Sequence, residues 1–397
     1  MRVTLPFLAG YFVSYVYRSV NALIGPEIAR EFGLTAGGLG LLTGIYFFAF
    51  ATFQLPLGVL LDRYGPRRVN GTLLLVAAAG GLWFALAPSA EQLIAARALI
   101  GLGVSGCLMS SLTAFALWYP AERMATMNGV AFASGMLGAL AATVPLELVL
   151  RVLHWREAFY GIVALNLVVS LTLFLVVPER AAARKSETLA EQLRGYATIA
   201  KDQAFWRAAL CIGASQMSAV SLGTLWVATW LRDIAGYTQA EIARALLAFS
   251  VAMIIGYVAF GRAADAMSRR GQSTVPLLAG GIAAASLCLL LLALGVRSGD
   301  VALWCLLFCG ATSAVLSYPL LARRYPTEMA GRVNTALNVC VFIGMFSGQW
   351  AVGIVLNQWP QTPTGYAPEA YPWALALLWL IQFAGLAWLW AGRRHLA

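Results

Sequence analysis

The chain has 397 residues, of which 60% are hydrophobic and only 11% charged. Soluble domains carry about 25% charged residues, so this composition excludes an ordinary globular enzyme. The net charge of +10 is spread over short stretches between apolar runs and forms no single patch, which excludes a nucleic-acid groove.

A helix needs about 20 mostly apolar residues to cross a bilayer. The sequence offers twelve such stretches: 4–26, 37–61, 70–88, 92–117, 124–150, 157–178, 205–230, 240–261, 274–296, 299–321, 331–356 and 371–391. They are read as helices because buried backbone groups must be satisfied within the segment. The short alternating segments of a membrane barrel are absent from the sequence. The expected fold is an all-α membrane protein. The first stretch contains Arg18 and is followed by no small-residue cleavage site, so it is read as a permanent helix.

In that stretch Tyr11, Ser14, Tyr15, Arg18 and Asn21 fall at i, i+3, i+4, i+7 and i+10. They form one polar stripe, expected to face a central cavity. An intramembrane arginine is costly and marks function by default. The alternative is a structural arginine snorkelling to the surface. The second stretch offers Thr43, Tyr46, Phe47, Phe50 and Gln54 at helical spacing. It ends in "GVLLDRYGPRR" (58–68).

The fourth stretch contains Arg97 in "RALIGLG", whose Gly101 and Gly103 suit close helix packing. Glu147 in the fifth is the one plausible intramembrane carboxylate, and so the one candidate for a protonating coupling group. The plainer reading is an interfacial Glu. Gly135 and Gly138 are read as close-packing positions. "HWREAF" (154–159) opens the sixth stretch, with Trp155 as an interface anchor and Arg156 expected to pair with Glu157. The polar stretch 179–204 is read as a cytoplasmic, partly helical linker between halves 1–178 and 205–397.

In the second half Ser215, Ser218, Ser317, Tyr318, Asn338 and Gln349 are cavity candidates, with helix–helix contact as the alternative for each. The halves echo one another. "YPAERMATMN" (119–128) aligns with "YPTEMAGRVN" (325–334), and 58–68 has a weaker echo in 261–271. Half-repeats of six helices place a substrate site at the midplane. With the amino terminus cytoplasmic, 19 Lys and Arg residues fall on the inner side and 6 on the outer. That bias puts both termini in the cytoplasm.

The 58–68 segment, with the twelve spans and the half-repeat, is identified with the signature of the major facilitator superfamily, G-x-L-x-D-R-x-G-x-R-R. Gly58, Leu60, Asp62, Arg63, Gly65, Arg67 and Arg68 match it. The resemblance implies two pseudo-symmetric six-helix halves, alternating access, a bacterial inner-membrane location and a monomer among lipids. It also implies a gating role for the signature loop, with Asp62 near Gly331 and Arg332 at the start of helix eleven. Gly58 and Gly65 would permit close approach and a tight turn. Arg97 resembles the arginine of a second family pattern, R-x-x-x-G-x-G, linked to coupling or to holding helices.

The favoured function is secondary transport of a small organic anion, because the predicted cavity holds arginine without an obvious buried counter-charge. The alternatives are efflux of an amphipathic compound by proton antiport and a non-transporting sensor. The chain departs from narrower branches: the seventh stretch (205–230) has no interior counterpart of the second arginine of organophosphate antiporters, the fifth and eleventh lack the glycine-rich signatures of nitrate porters, and the fifth lacks the Gly-Pro pair of drug-proton antiporters. No metal, cofactor or enzymatic motif is expected; a proton is the candidate coupling ion.

Overall fold

The computed structural model describes residues 2–120, 123–179, 196–322, 324–325, 329–362 and 365–392. Among them eleven helices are long and apolar enough to cross a membrane. A broken first helix completes twelve. We number them α1 (Thr4–Ser19 and Asn21–Glu31), α2 and α3 (one helical stretch, Ala36–Leu86), α4 (Ala90–Val104 and Cys107–Trp118), α5 (Met124–Ala141 and Val144–Leu150) and α6 (Trp155–Val176). Then follow α7 (Gln203–Ser221, a π turn Leu222–Trp226, and Val227–Asp233), α8 (Gln239–Arg269) and α9 (Val275–Ala293). The last three are α10 (Asp300–Ala311, a 3-10 segment Thr312–Leu316, and Ser317–Ala322), α11 (Ala330–Leu356) and α12 (Ala370–Ala391).

Several breaks have a cause in the sequence. Pro26 has no N–H to offer the preceding turn, and α1 is interrupted just before that turn, at Val20. Pro145 likewise follows the interruption at Ala142 and Thr143 in α5. Between α2 and α3 the chain turns at Gly65, whose φ of 76° is open to glycine at no steric cost. The tight turn expected there is present. Gly58 differs: a Cβ at that position would meet no atom within 4 Å, because Gly58 lies on an exposed helix face. The close approach expected at Gly58 is therefore not made.

The chain divides into two compact units, Met1–Leu34 with Ile45–Leu189, and Thr35–Gly44 with Ala190–Ala397. The first residues of α2 thus pack with the second unit. The Gly37 N–H donates to Asn357 Oδ1 at 3.2 Å, and a Cβ on Gly40 would lie 2.4 Å from the Gln349 carbonyl oxygen. Within each unit the same neighbours recur. α1 packs on α5 and α6, as α7 packs on α11 and α12. The repeat read in the sequence is a repeat of packing. Large apolar side chains such as Val168, Leu175, Ile255 and Leu306 are exposed, an outer surface suited to hydrocarbon.

At the start of α6 the expected pair of Arg156 with Glu157 is not formed. Glu157 reaches back to the His154 N–H at 2.9 Å in a capping box, which turns it away from Arg156. Arg156 pairs instead with Glu31 of α1, which also accepts from Trp155 Nε1 at 2.8 Å. Burial pushes the Glu31 carboxyl up, but hydrogen bonds from Trp155 and Arg156, and the latter's charge, prevail and hold it below the usual range. A depressed carboxylate contributes stability above its unfolded pKa and loses it as pH falls through the folded value. Glu31→Gln is therefore expected to lower the melting temperature at pH 7 and to cost progressively less below about pH 4.5, the ordinary glutamate value. Equal losses at pH 7 and pH 3 in a pH series of melting curves would refute this.

Candidate functional site

Arg18 lies in the last turn of the first segment of α1. It is half-buried. Its guanidinium lies 4.9 Å from the centre of the Tyr15 ring and 5.6 Å from that of Phe47. Stacking of this kind contributes about 0.5–2 kcal/mol, depending on desolvation. Tyr15 also meets Tyr11 edge-on, with ring centres 5.0 Å apart and the hydroxyls at 3.4 Å. The predicted stripe is thus a physical cluster, joined by aromatic residues from α2. Asn21, its last member, is fully buried.

Tyr46 connects this cluster to a second arginine. Its hydroxyl donates to the Ser14 carbonyl at 3.2 Å, and its ring lies 4.9 Å from the Arg97 guanidinium. Arg97 is completely buried, and none of its three guanidinium nitrogens has a hydrogen-bond partner among the described residues. Gly101 and Gly103 bring α4 against its neighbours: a Cβ would lie 2.2 Å from the Tyr46 carbonyl oxygen at Gly101 and 2.3 Å from the Ala77 nitrogen at Gly103. Gly135 and Gly138 do the same between α5 and α1, at Tyr11 and at the Phe12 carbonyl.

Other candidates separate into partners and scaffolding. Tyr318 donates to Asn338 Oδ1 at 2.6 Å, so two predicted residues of the second half meet. Gln349 donates to Thr224 Oγ1 at 2.5 Å, across the π turn of α7. Ser218 is buried and donates to the Ala214 carbonyl in its own helix. Gln54 donates to the Ser105 carbonyl at 3.2 Å, which the interruption of α4 leaves available. Phe50 is nearly buried beside Tyr46. Glu147 is buried and pairs with Arg151 at 2.8 Å.

The signature loop borders a cavity of about 180 Å³ lined by Asp62, Arg63, Arg67, Arg68, Trp118 and Glu179, among others. Arg68 pairs with Glu179 at 2.5 Å, and Arg67 donates to the Phe174 carbonyl. The loop arginines therefore hold the end of α6.

One carboxylate escaped the sequence reading. Asp233, at the end of α7, is almost fully buried and accepts from Arg232, from the Tyr366 N–H at 3.0 Å and from the Tyr371 hydroxyl at 2.7 Å. Gly365 leaves room for it: a Cβ there would lie 2.2 Å from the carboxylate. The signal available was a lone Asp next to Arg232 at a span end, which reads equally as a loop charge.

The model of the Major Facilitator Superfamily matches residues 7–349. The chain belongs to that superfamily and is a multi-pass membrane protein. The "D-galactonate transporter" of Escherichia coli is 23% identical over 94% of this chain and 91% of that protein. The "Probable sulfoacetate transporter SauU" of Cupriavidus necator is 30% identical over 40% of this chain and 36% of that protein. For the first four curated relatives the match spans about a quarter to two fifths of their own length. The fold is that of solved transporters. A bacterial homologue of the human lysosomal transporter Spinster superposes with a TM-score of 0.82 over 99% of this chain and 96% of that one, at 16% identity. The D-xylose-proton symporter gives 0.73 over 96% and 97%, also at 16%.

Proposed function

We propose that this transporter carries a small organic anion by alternating access, with Arg18 as the residue that binds its charge. The observation that carries this reading is the half-buried guanidinium of Arg18 set over the faces of Tyr15 and Phe47. Arginine is the side chain suited to carboxylate or sulfonate oxygens, through paired hydrogen bonds. Arg97 adds a second positive charge behind Tyr46. The names of two relatives, a sulfoacetate and a D-galactonate transporter, point to the same ligand chemistry. Tyr11 and Asn21 flank the anion on α1. The lysine and arginine distribution supports cytoplasmic termini, and a proton is the proposed coupling ion.

The test is thermal unfolding of the purified protein with sulfoacetate, D-galactonate and a neutral sugar. A ligand at 100 times its Kd stabilises the folded state by about 2.7 kcal/mol. At least one of the anions is expected to raise the melting temperature of the wild type and to have no effect on Arg18→Ala. A neutral sugar acting alone, or equal shifts in wild type and variant, would remove Arg18 from the binding site.

A further inference from the structure

The Tyr-Pro pair that recurs at 119 and 325 is not absorbed by the substrate site. In the first unit Tyr119 follows the second segment of α4, and its hydroxyl is hydrogen-bonded to the Thr4 hydroxyl, at the first residue of α1. In the second unit Tyr325 follows α10, and its hydroxyl donates to Asp202 Oδ2 at 2.6 Å. Asp202 is the N-cap of α7; its other oxygen accepts from the Ala204 N–H at 2.8 Å. Burial, with the Asp202 carboxylate beside it, pushes the Tyr325 phenol well above its ordinary range, so it remains a donor at any working pH. Each repeat tyrosine thus ties the end of the fourth helix of its half to the beginning of the first.

Both fourth helices are also interrupted, at equivalent places. α4 breaks at Ser105–Gly106 and α10 at the 3-10 segment Thr312–Leu316. Just before each break a glycine sets the helix backbone-to-backbone against the third helix of its half. A Cβ at Gly103 would lie 2.3 Å from the Ala77 nitrogen, and one at Gly310 would lie 2.6 Å from the Gly281 carbonyl oxygen. The leg before the break packs on the second and third helices of its half, and the leg after it is tied to the first. The carbonyls at the break find side-chain donors: Gln54 donates to Ser105, and Thr312 to Cys309 at 2.6 Å. The break therefore costs little in unsatisfied backbone.

We propose that Tyr119 and Tyr325 are equivalent pins of two jointed helices. Each hydroxyl holds the second leg to the first helix of its half, and displacement of the leg that carries Arg97, or of its counterpart in α10, is taken up at the break. The pins are positioning residues. They touch no substrate, and the inference stands whether or not the substrate is an anion.

Hydrogen exchange of the purified protein, read by mass spectrometry on peptides from each leg, tests this. Tyr119→Phe keeps the ring and removes one hydrogen bond of about 0.5–1.5 kcal/mol. It is expected to speed exchange of residues 107–118 about five-fold and to leave 90–104 unchanged. Tyr325→Phe is expected to speed 317–322 and leave 300–311 unchanged. Thr4→Val should reproduce the effect of Tyr119→Phe and add nothing to it in the double variant. The proposal is overturned if neither leg responds, if both legs of a helix accelerate together, or if the effects of Thr4→Val and Tyr119→Phe simply add.

Discussion

Arg97→Met is expected to raise the melting temperature by about 2 °C or more and at the same time to abolish the response to anions. The sign of the first effect follows from the burial of Arg97. An arginine at the centre of a membrane helix costs about 2.5–3.5 kcal/mol on insertion scales. Here the guanidinium is fully buried without a hydrogen-bond partner among the described residues. The Tyr46 face, at 4.9 Å, returns about 1–2 kcal/mol of that. Methionine fills most of the same volume without the charge, and exchanges of a buried charge for an apolar side chain of similar size are often neutral or stabilising by about 1–4 kcal/mol. The second effect follows from the reading of the site: a charge kept at a net cost to folding is kept for function. Melting curves of wild type and variant, with and without sulfoacetate, separate the two claims. A lower melting temperature would mean that the guanidinium stabilises the fold. A more stable variant that still responds to the anion would make Arg97 structural.

The twelve spans and the half-repeat were legible because hydropathy and self-similarity are properties of the chain alone. The stripe on α1 was legible for the same reason, since helical spacing puts Tyr11, Tyr15 and Arg18 on one face wherever the helix goes. What could not be read was whatever depends on a second helix. Gln54 has the spacing of a cavity residue, yet it serves the Ser105 carbonyl, and that acceptor exists because α4 is interrupted, a fact of backbone geometry rather than hydropathy. Asp233 reads as a span-end charge and becomes a buried node when Tyr366 and Tyr371 fold against it. Arg156 has an acidic neighbour in sequence, but the capping geometry of α6 takes Glu157 and leaves Glu31 to meet the arginine. In each case the residue type was right for a polar contact and the partner came from a distant segment.

Gly101→Val is expected to have the largest effect on the fold. The Cβ alone would lie 2.2 Å from the Tyr46 carbonyl oxygen, 2.8 Å from its Cα and 2.9 Å from its carbonyl carbon. All three atoms are backbone, so no side-chain rotation relieves the contact; α4 and α2 have to separate. Overpacking of a side chain into a yielding core costs about 1–3 kcal/mol, and a contact with backbone belongs at or above the top of that range. The separation would also displace Tyr46, which hydrogen-bonds Ser14 on α1 and faces Arg97 on α4. Gly101→Val should therefore reduce the yield of folded protein severely, and any that is recovered should not respond to anions. Gly58→Val serves as the control: its Cβ meets nothing within 4 Å, and it should fold like the wild type. Monodisperse protein in detergent, measured by size-exclusion chromatography, separates the two. Equal yields of both variants would mean that α2 and α4 are not in backbone contact at Gly101, and the placement of Tyr46 between the two arginines would fall with that contact.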